Sequence, residues 1–357
     1  MNQRATGLRP SVPHRLGYPD GWFSVGPSSA IAPGQLMTRK FFGHEVVIFR
    51  SQNGTVSVVD AYCPHMGAHF AHGGTVEGEH LRCPFHGFEF DGQGTCQKTG
   101  YGTKPPSDAR LFVWPSVEIN GFILVWHATD GREPDWHVPA LPGEGRYLPM
   151  HVKTWTLKAH PQETTENSVD LGHLTVVHGY KQVEMLSELR AEGPYLNAKY
   201  AMSRSAGFVG KAALIRAEFE VHVWGLGYSW VNVHIPENGM HTRHFVQVTP
   251  VDEETSTLTV ALVMEEHTEP HRIHPALRML PKLAVNQLVA RAAFAGFCGD
   301  VMQDFDVWQN KRYVHPPVLA TGDGPVIRYR RWARQFYSSQ TSPRGGSPDA
   351  SVQPDQD

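Results

Sequence analysis

Cysteine is scarce in this chain. Four cysteines in 357 residues cannot make a disulfide framework, so these thiols are left for metal binding or for the core. An excess of charge of one sign is also missing. Lys plus Arg number 32 and Asp plus Glu 35, a formal net charge of −3, which argues against a nucleic-acid binder with its basic patch or stripe. No apolar run approaches the ~20 residues that span a bilayer. The opening MNQRATGLRPSVPHRLGYPDGW lacks the apolar core of a secretory signal, so a cytoplasmic protein is expected. No Gly-x-Gly-x-x-Gly follows a strand pattern, so no flavin or nicotinamide site is foreseen. Core material is not short. Apolar residues make up 40% and charged ones 19%, enough for two domains.

What is present falls into two units. From Gly21 to His127, short apolar runs alternate with Gly, Pro and Asn. HEVVIFRSQNGTVSVVD reads as two strands joined at Asn53-Gly54, and LFVWPSVEINGFILVW repeats the device at Asn120-Gly121; Asn-Gly between apolar runs is a strong hairpin signal. HATDGREPDWHVPALPGEG reads as a linker. A helix-like stretch is expected from about Pro161 to His178, then strands such as AEFEVHVWG, YSWVNVHI, RHFVQVTPV and STLTVALVM. A long helical pattern closes the unit, with Pro281 as an early interruption. The expected class is α+β: an N-terminal all-β domain over 18–137, and over 138–337 an α+β domain with an antiparallel sheet. Residues 338–357 read as a disordered tail.

Two of the four cysteines stand in CPHMGAHFAHGGTVEGEHLRCPFHGFEF. Each has a histidine within three residues: Cys63-Pro-His65 and Cys83-Pro-Phe-His86. Structural zinc sites usually take two cysteines from one short loop and two histidines from another. Here each loop offers one thiolate and one imidazole. That suits a two-iron cluster with both cysteines on one iron and both histidines on the other. His69, His72 and His80 lie between the loops and are given no role; Cys96 and Cys298 read as buried apolar residues.

Further along, TTENSVDLGHLTVVHGY holds Asn167, Asp170, His173 and His178. His173 and His178 are five apart, about 140° around an ideal helix, so one metal takes both only if the helix ends between them. β-branched Thr175, Val176 and Val177, followed by Gly179, foretell that ending. Two histidines and a carboxylate form the facial triad of non-haem Fe(II) oxygenases. GDVMQDFDVWQNKRY offers Asp300, Asp304 and Asp306 as the carboxylate.

CPHMGAHF and CPFHGFEFDGQGTC closely resemble the two loops of the Rieske family. ENSVDLGHLTVVH and QDFDVWQNKRY look like the branch of ketosteroid hydroxylase oxygenase components and cholesterol 7-desaturases. The resemblance covers about residues 18 to 335. It implies a helix-grip-like catalytic domain and a [2Fe–2S] cluster on Cys63, His65, Cys83 and His86. It also implies mononuclear Fe(II) on His173, His178 and Asp304, the Asp after Gln, with Asp300 in reserve. O2 would be co-substrate, and a ferredoxin or ferredoxin reductase would supply electrons from NAD(P)H. The expected reaction is hydroxylation or desaturation of a sterol or steroid. An aromatic substrate, by hydroxylation or O-demethylation, or a pure electron carrier remain the alternatives. In the family, the residue matching Asp170 joins the iron site to a cluster histidine of the next subunit, which implies a homotrimer. The animal desaturases carry an N-terminal membrane anchor, which this sequence does not show.

Overall fold

The computed structural model describes residues 16–141, 146–208, 211–269, 272 and 279–338; the tail read as disordered lies almost wholly outside them. The N-terminal unit is built from strands. β1 (Gly21–Pro27), β2 (Leu36–Phe41), β3 (His44–Arg50) and β4 (Val56–Asp60) precede the metal motif. β5 (Thr75–Glu77), β6 (His80–Arg82), β7 (Glu89–Phe90) and β8 (Cys96–Lys98) surround it. β9 (Val113–Trp114), β10 (Ser116–Ile119) and β11 (Phe122–His127) follow. They form three antiparallel sheets, β1-β11-β10, β2-β3-β4-β9 and β5-β6-β7-β8. The two Asn-Gly hairpins are present, β3 with β4 and β10 with β11. In the second, Asn120 has φ 54° and Gly121 φ 84°. Two successive left-handed residues make the turn whose twist matches the strands, and Asn and Gly tolerate it best.

The second unit is one large antiparallel sheet with helices on one face. Its strands are β12 (His151–Lys158), β13 (Lys181–Met185), β14 (Arg190–Glu192), β15 (Tyr195–Phe208), β16 (Lys211–Trp224), β17 (Tyr228–Ile235), β18 (Met240–Pro250) and β19 (Thr255–Met264). Their order is β12-β19-β18-β17-β16-β15-β13, with β14 on β15. The helices are α1 (Pro161–Glu166), α2 (Leu171–Val176), α3 (Lys282–Gln303), α4 (Phe305–Asn310) and α5 (Val326–Ala333).

Three expectations change. The helix read over 161–178 is two short helices, because Asp170 turns its carboxylate to the start of the second; Oδ1 accepts from His173 N at 3.1 Å. A side chain that caps a helix start interrupts the helix before it. Pro281 is the residue before α3, where its missing N–H costs nothing, and not a break inside it. The segment read as a linker is packed: Val138 is buried, the indole of Trp22 donates to Trp136 O at 2.7 Å, and Asn120 Nδ2 donates to Pro139 O at 3.0 Å. Residues 142–145 lie outside the description.

Strand alternation explains how one sheet serves two cores. On β17, Tyr228 and Trp230 face the N-terminal unit. With Phe245 and Ala261 they pack on Trp22, Phe122, Leu124 and Trp126. Burying such side chains stabilises by roughly 1.5–3 kcal/mol each. The intervening Ser229, Val231 and Val233 face the helices and line a cavity. β1 and β11 alternate likewise, sending Phe23, Val25, Ile123 and Val125 into the core of their own unit. Gly227 is needed at this contact, since a Cβ there would lie 2.3 Å from Phe23.

Candidate metal centres

The first centre lies between two sheets. Cys63 and Cys83 are buried in a core with Phe70, Leu81, Phe88 and Phe90. Both loops turn in the same way: Gly67 N donates to Cys63 O at 2.9 Å, and Gly87 N to Cys83 O at 3.1 Å. Gly67 and Gly87 have φ of 73° and 65°, values that favour glycine. A Cβ on Gly87 would also meet the backbone of Gly100 at 3.0 Å. The rings of His65 and His86 stand 4.7 Å apart, and His65 stacks on Phe88.

The donor atoms show what is needed here. His65 Nδ1 and His86 Nδ1 are buried without a hydrogen-bond partner. Buried polar atoms are rarely left so. Burial pushes the Cys63 thiol up to about 12, with Cys83 close by adding to the rise. Two thiols and two unpartnered imidazole nitrogens from paired turns match the donor set of a two-iron cluster with mixed ligation.

The second centre stands at the edge of a cavity in the second unit. Donor atoms of His173, His178 and Asp304 lie within 4.8 Å of one another. α2 ends at Val176, and Gly179 takes φ 67°. His178 therefore leaves the helix, and its Nε2 lies 3.5 Å from Asp304 Oδ2. Asp304 sits where α3 gives way to α4. His173 Nδ1 bonds to Asp170 O at 2.6 Å, and His178 Nδ1 to Gln303 Oε1 at 2.9 Å. Both partners are oxygens that only accept, so each Nδ1 carries the proton and each Nε2 keeps its lone pair for a metal. Two imidazole nitrogens and a carboxylate suit Fe(II) with positions left open. Burial opposes a proton on His178, but the Asp304 carboxylate and Gln303 outweigh it and move the group upward.

The other carboxylates have other work. Asp300 Oδ2 accepts from Tyr180 OH at 3.0 Å and from Arg204 Nη1 at 2.8 Å. Asp306 is exposed. The Asp170 carboxylate is about one-third exposed and lies 3.8 Å from His173 Nδ1. Burial raises its pKa, but hydrogen bonds from His173 outweigh this and hold it below the usual range. Cys96 and Cys298 are buried in separate apolar clusters.

Beside the triad is a cavity of about 460 Å³, within the usual range for small-molecule sites. Its floor is the inner face of β15–β18, with Met202, Ala217, Phe219, Val221, Val231 and Val233; α3 closes it with Ala293, Phe297 and Val301. The strands that carry Ala217, Phe219, Val221, Val231 and Val233 are among those expected from the sequence, but such apolar alternation marks an ordinary core equally well. His244, Thr242 and Gln303 were missed, for single polar residues in a strand or at a helix end carry no periodic signal.

Two family models match the chain: the Rieske [2Fe-2S] domain over residues 21–112 and the 3-ketosteroid 9alpha-hydroxylase C-terminal domain over 125–337. Cholesterol 7-desaturase of Hemicentrotus pulcherrimus is 31% identical over 343 residues, covering 92% of this chain and 71% of that protein. A cholesterol 7-desaturase of Ciona intestinalis is 30% identical over 351 residues, covering 92% and 70%. A Rhodococcus rhodochrous protein named "Probable 3-ketosteroid-9-alpha-monooxygenase, oxygenase component" is 28% identical over 340 residues, covering 90% and 80%. Among solved structures, dicamba monooxygenase bound to dicamba superposes with a TM-score of 0.62 at 16% identity, covering 88% of this chain and 96% of that one. At that identity the likeness shows the fold alone.

Proposed function

The chain belongs to the Rieske non-haem iron oxygenases with a 3-ketosteroid 9α-hydroxylase-type C-terminal domain, and from that premise we propose that it hydroxylates or desaturates a sterol or steroid. The observation that carries the reading is the meeting of His173, His178 and Asp304 beside an apolar cavity. A pure electron carrier has no use for such a triad next to a ligand-sized space. Names of the relatives supply the substrate class.

In this reading Cys63, His65, Cys83 and His86 hold the [2Fe–2S] cluster, and His173, His178 and Asp304 hold Fe(II). When bound, these groups supply one-electron transfer and activation of O2 for C–H oxidation. Hydroxylation consumes O2, two electrons and two protons and releases water with the alcohol; desaturation releases two waters with the alkene. The electrons come from a separate ferredoxin or ferredoxin reductase.

The chain's own residues do the positioning. Val231, Val233 and Phe297 hold the hydrocarbon skeleton by shape and exclude water from the reacting carbon. The Asp170 carbonyl and Gln303 fix the ring planes and tautomers of the two histidines. The Asp170 carboxylate, partly open to the outside, is free to meet an imidazole of a neighbouring chain. Among the described residues no helix is long and apolar enough to cross a membrane.

Iron content and turnover test the proposal. Three irons per chain and oxidation of a sterol or 3-ketosteroid, with O2 consumed in step, are expected. Asp304→Ala should lower iron by one per chain and abolish turnover while keeping the visible spectrum of the cluster. Asp300→Asn should keep all three irons. Turnover of aromatic acids with none of sterols would overturn the substrate class, and two irons per chain would overturn the oxygenase site.

A further inference from the structure

The cavity is not uniformly apolar; several of its polar side chains are already satisfied, while among the described residues Asn167 and Ser168, between α1 and α2, and His244, on the floor, keep polar atoms without a partner. Ser229 Oγ donates to Val246 O at 2.9 Å. Thr164 Oγ1 donates to Pro161 O at 2.9 Å, and Thr165 Oγ1 to Leu226 O at 3.1 Å. Asp300 is taken up by Tyr180 and Arg204. His244 differs. It stands on β18 across from Val231, which in turn faces Val221, so it rises from the middle of an aliphatic floor. Its Nε2 is 2.9 Å from Thr242 Oγ1. Its Nδ1 has no hydrogen-bond partner among the described residues, and the ring lines the cavity. An imidazole nitrogen in such a place is an unused hydrogen-bonding position of the kind that orients ligands in otherwise apolar pockets.

Its place relative to the iron triad can be read from α3. The His244 ring packs on Phe297, with centroids 4.4 Å apart. Phe297 precedes the triad residue Asp304 by seven positions, about 10 Å along a helix at 1.5 Å per residue. An oxygen held at His244 is thus set well back from the reacting carbon. A fused-ring skeleton spans such a gap, whereas a single aromatic ring does not.

We propose that His244, set by Thr242, is the specificity-determining post that binds an oxygen substituent on the ring system remote from the oxidised carbon. The inference rests on the sterol or steroid reading above and names the contact that gives that substrate its register. Burial lowers the His244 pKa to about 4, so the imidazole is neutral at physiological pH and serves two kinds of oxygen. With the Thr242 hydroxyl donating to Nε2, Nδ1–H donates to a ketone or to a hydroxyl oxygen. With Nε2–H donating to Thr242, Nδ1 accepts from a hydroxyl.

Binding to the iron-loaded enzyme without O2 tests this, by equilibrium dialysis against cholesterol, cholest-4-en-3-one and the 3-deoxy hydrocarbon cholest-5-ene. The wild type should bind at least one of the two oxygenated ligands more tightly than the hydrocarbon. His244→Leu should lose roughly tenfold for that ligand, the scale of one buried hydrogen bond left unmade, and little for the hydrocarbon. His244→Gln, which keeps a hydrogen-bonding head, should stay within a few-fold of the wild type. Unchanged cluster absorption in both variants certifies the fold. If His244→Leu weakens all three ligands equally, or if the wild type does not distinguish them, the post is overturned and the sterol reading stands. If the wild type binds none of the three, that reading fails, and the post with it.

Discussion

Left alone in its core, the Cys63 thiol would stay protonated, because burial pushes it up to about 12. A cationic iron centre reverses that preference, since metal binding displaces the proton. Cys63→Ser should therefore lose the visible cluster absorption and two irons per chain. Cys96→Ser should keep both, because the Cys96 thiol is a buried core group already partnered within the protein, donating to Lys98 O at 3.3 Å. Iron assay and absorption spectra read the difference. A second residue reports on pH. His127 is buried, stacked on Phe42 with ring centroids 3.7 Å apart and bonded to Pro19 O. Burial lowers its pKa from 6.5 to about 4. Below pH 6.5 the unfolded chain binds a proton there that the folded chain refuses. Stability from this group is thus full above pH 6.5 and falls as the pH drops toward 4. The loss between pH 7 and pH 5 is about 2 kcal/mol. Urea unfolding of His127→Phe should show a smaller decline over that window than the wild type; equal declines would refute the assignment.

The turn between β10 and β11 does more than reverse the chain. Asn120 Nδ2 donates to Pro139 O and to Tyr228 OH, both at 3.0 Å, and Oδ1 accepts from Leu141 N at 2.9 Å. A hairpin residue of the first unit thereby fastens the connecting segment and touches the sheet of the second. Asn120→Ala removes three hydrogen bonds and puts alanine at a positive φ. The expected cost is roughly 2–4 kcal/mol. A lower melting temperature with cluster absorption and triad iron unchanged is the expected result, because neither metal centre touches this turn. An unchanged melting temperature would show that the segment is held by Trp136 and Val138 packing alone.

Across the whole molecule, the packing between the units comes from Trp22, Phe122, Leu124 and Trp126 against Tyr228, Trp230 and Phe245. The Cys-His loops take no part in this cluster. Around those loops Met66, Phe85 and Tyr101 are exposed large apolar residues, and Val176 is exposed beside the iron triad. The homotrimer implied by the resemblance would be a head-to-tail ring that brings the loops of one chain to the triad of the next, a heterologous contact that closes by rotation. Sedimentation should give a trimer. Asp170→Asn should keep the trimer and all three irons. It should slow reoxidation of the cluster by orders of magnitude in single turnover with substrate and O2. A monomer with fully coupled turnover, or an Asp170→Asn protein reoxidised at the wild-type rate, would refute the ring.

Local chemistry was legible before any coordinates. The Cys-x-His and Cys-x-x-His loops, the Asn120-Gly121 turn, the period-2 strands and the helix ending before His178 all follow from neighbours a few residues apart, where backbone sterics and side-chain type decide the outcome. The choice among Asp300, Asp304 and Asp306 is of another kind. The residues alone left all three open and the resemblance pointed to Asp304, but it is the fold that brings Tyr180 and Arg204 to Asp300 while turning Asp304 toward His178. The same holds for Asp170, whose neighbours along the chain suggested one face of a continuous helix but whose carboxylate caps a new one. It holds for the unpartnered nitrogen of His244 as well. Whether a polar side chain is satisfied depends on groups from distant strands and helices, and sequence spacing carries no record of them until the sheet and α3 enclose a common space.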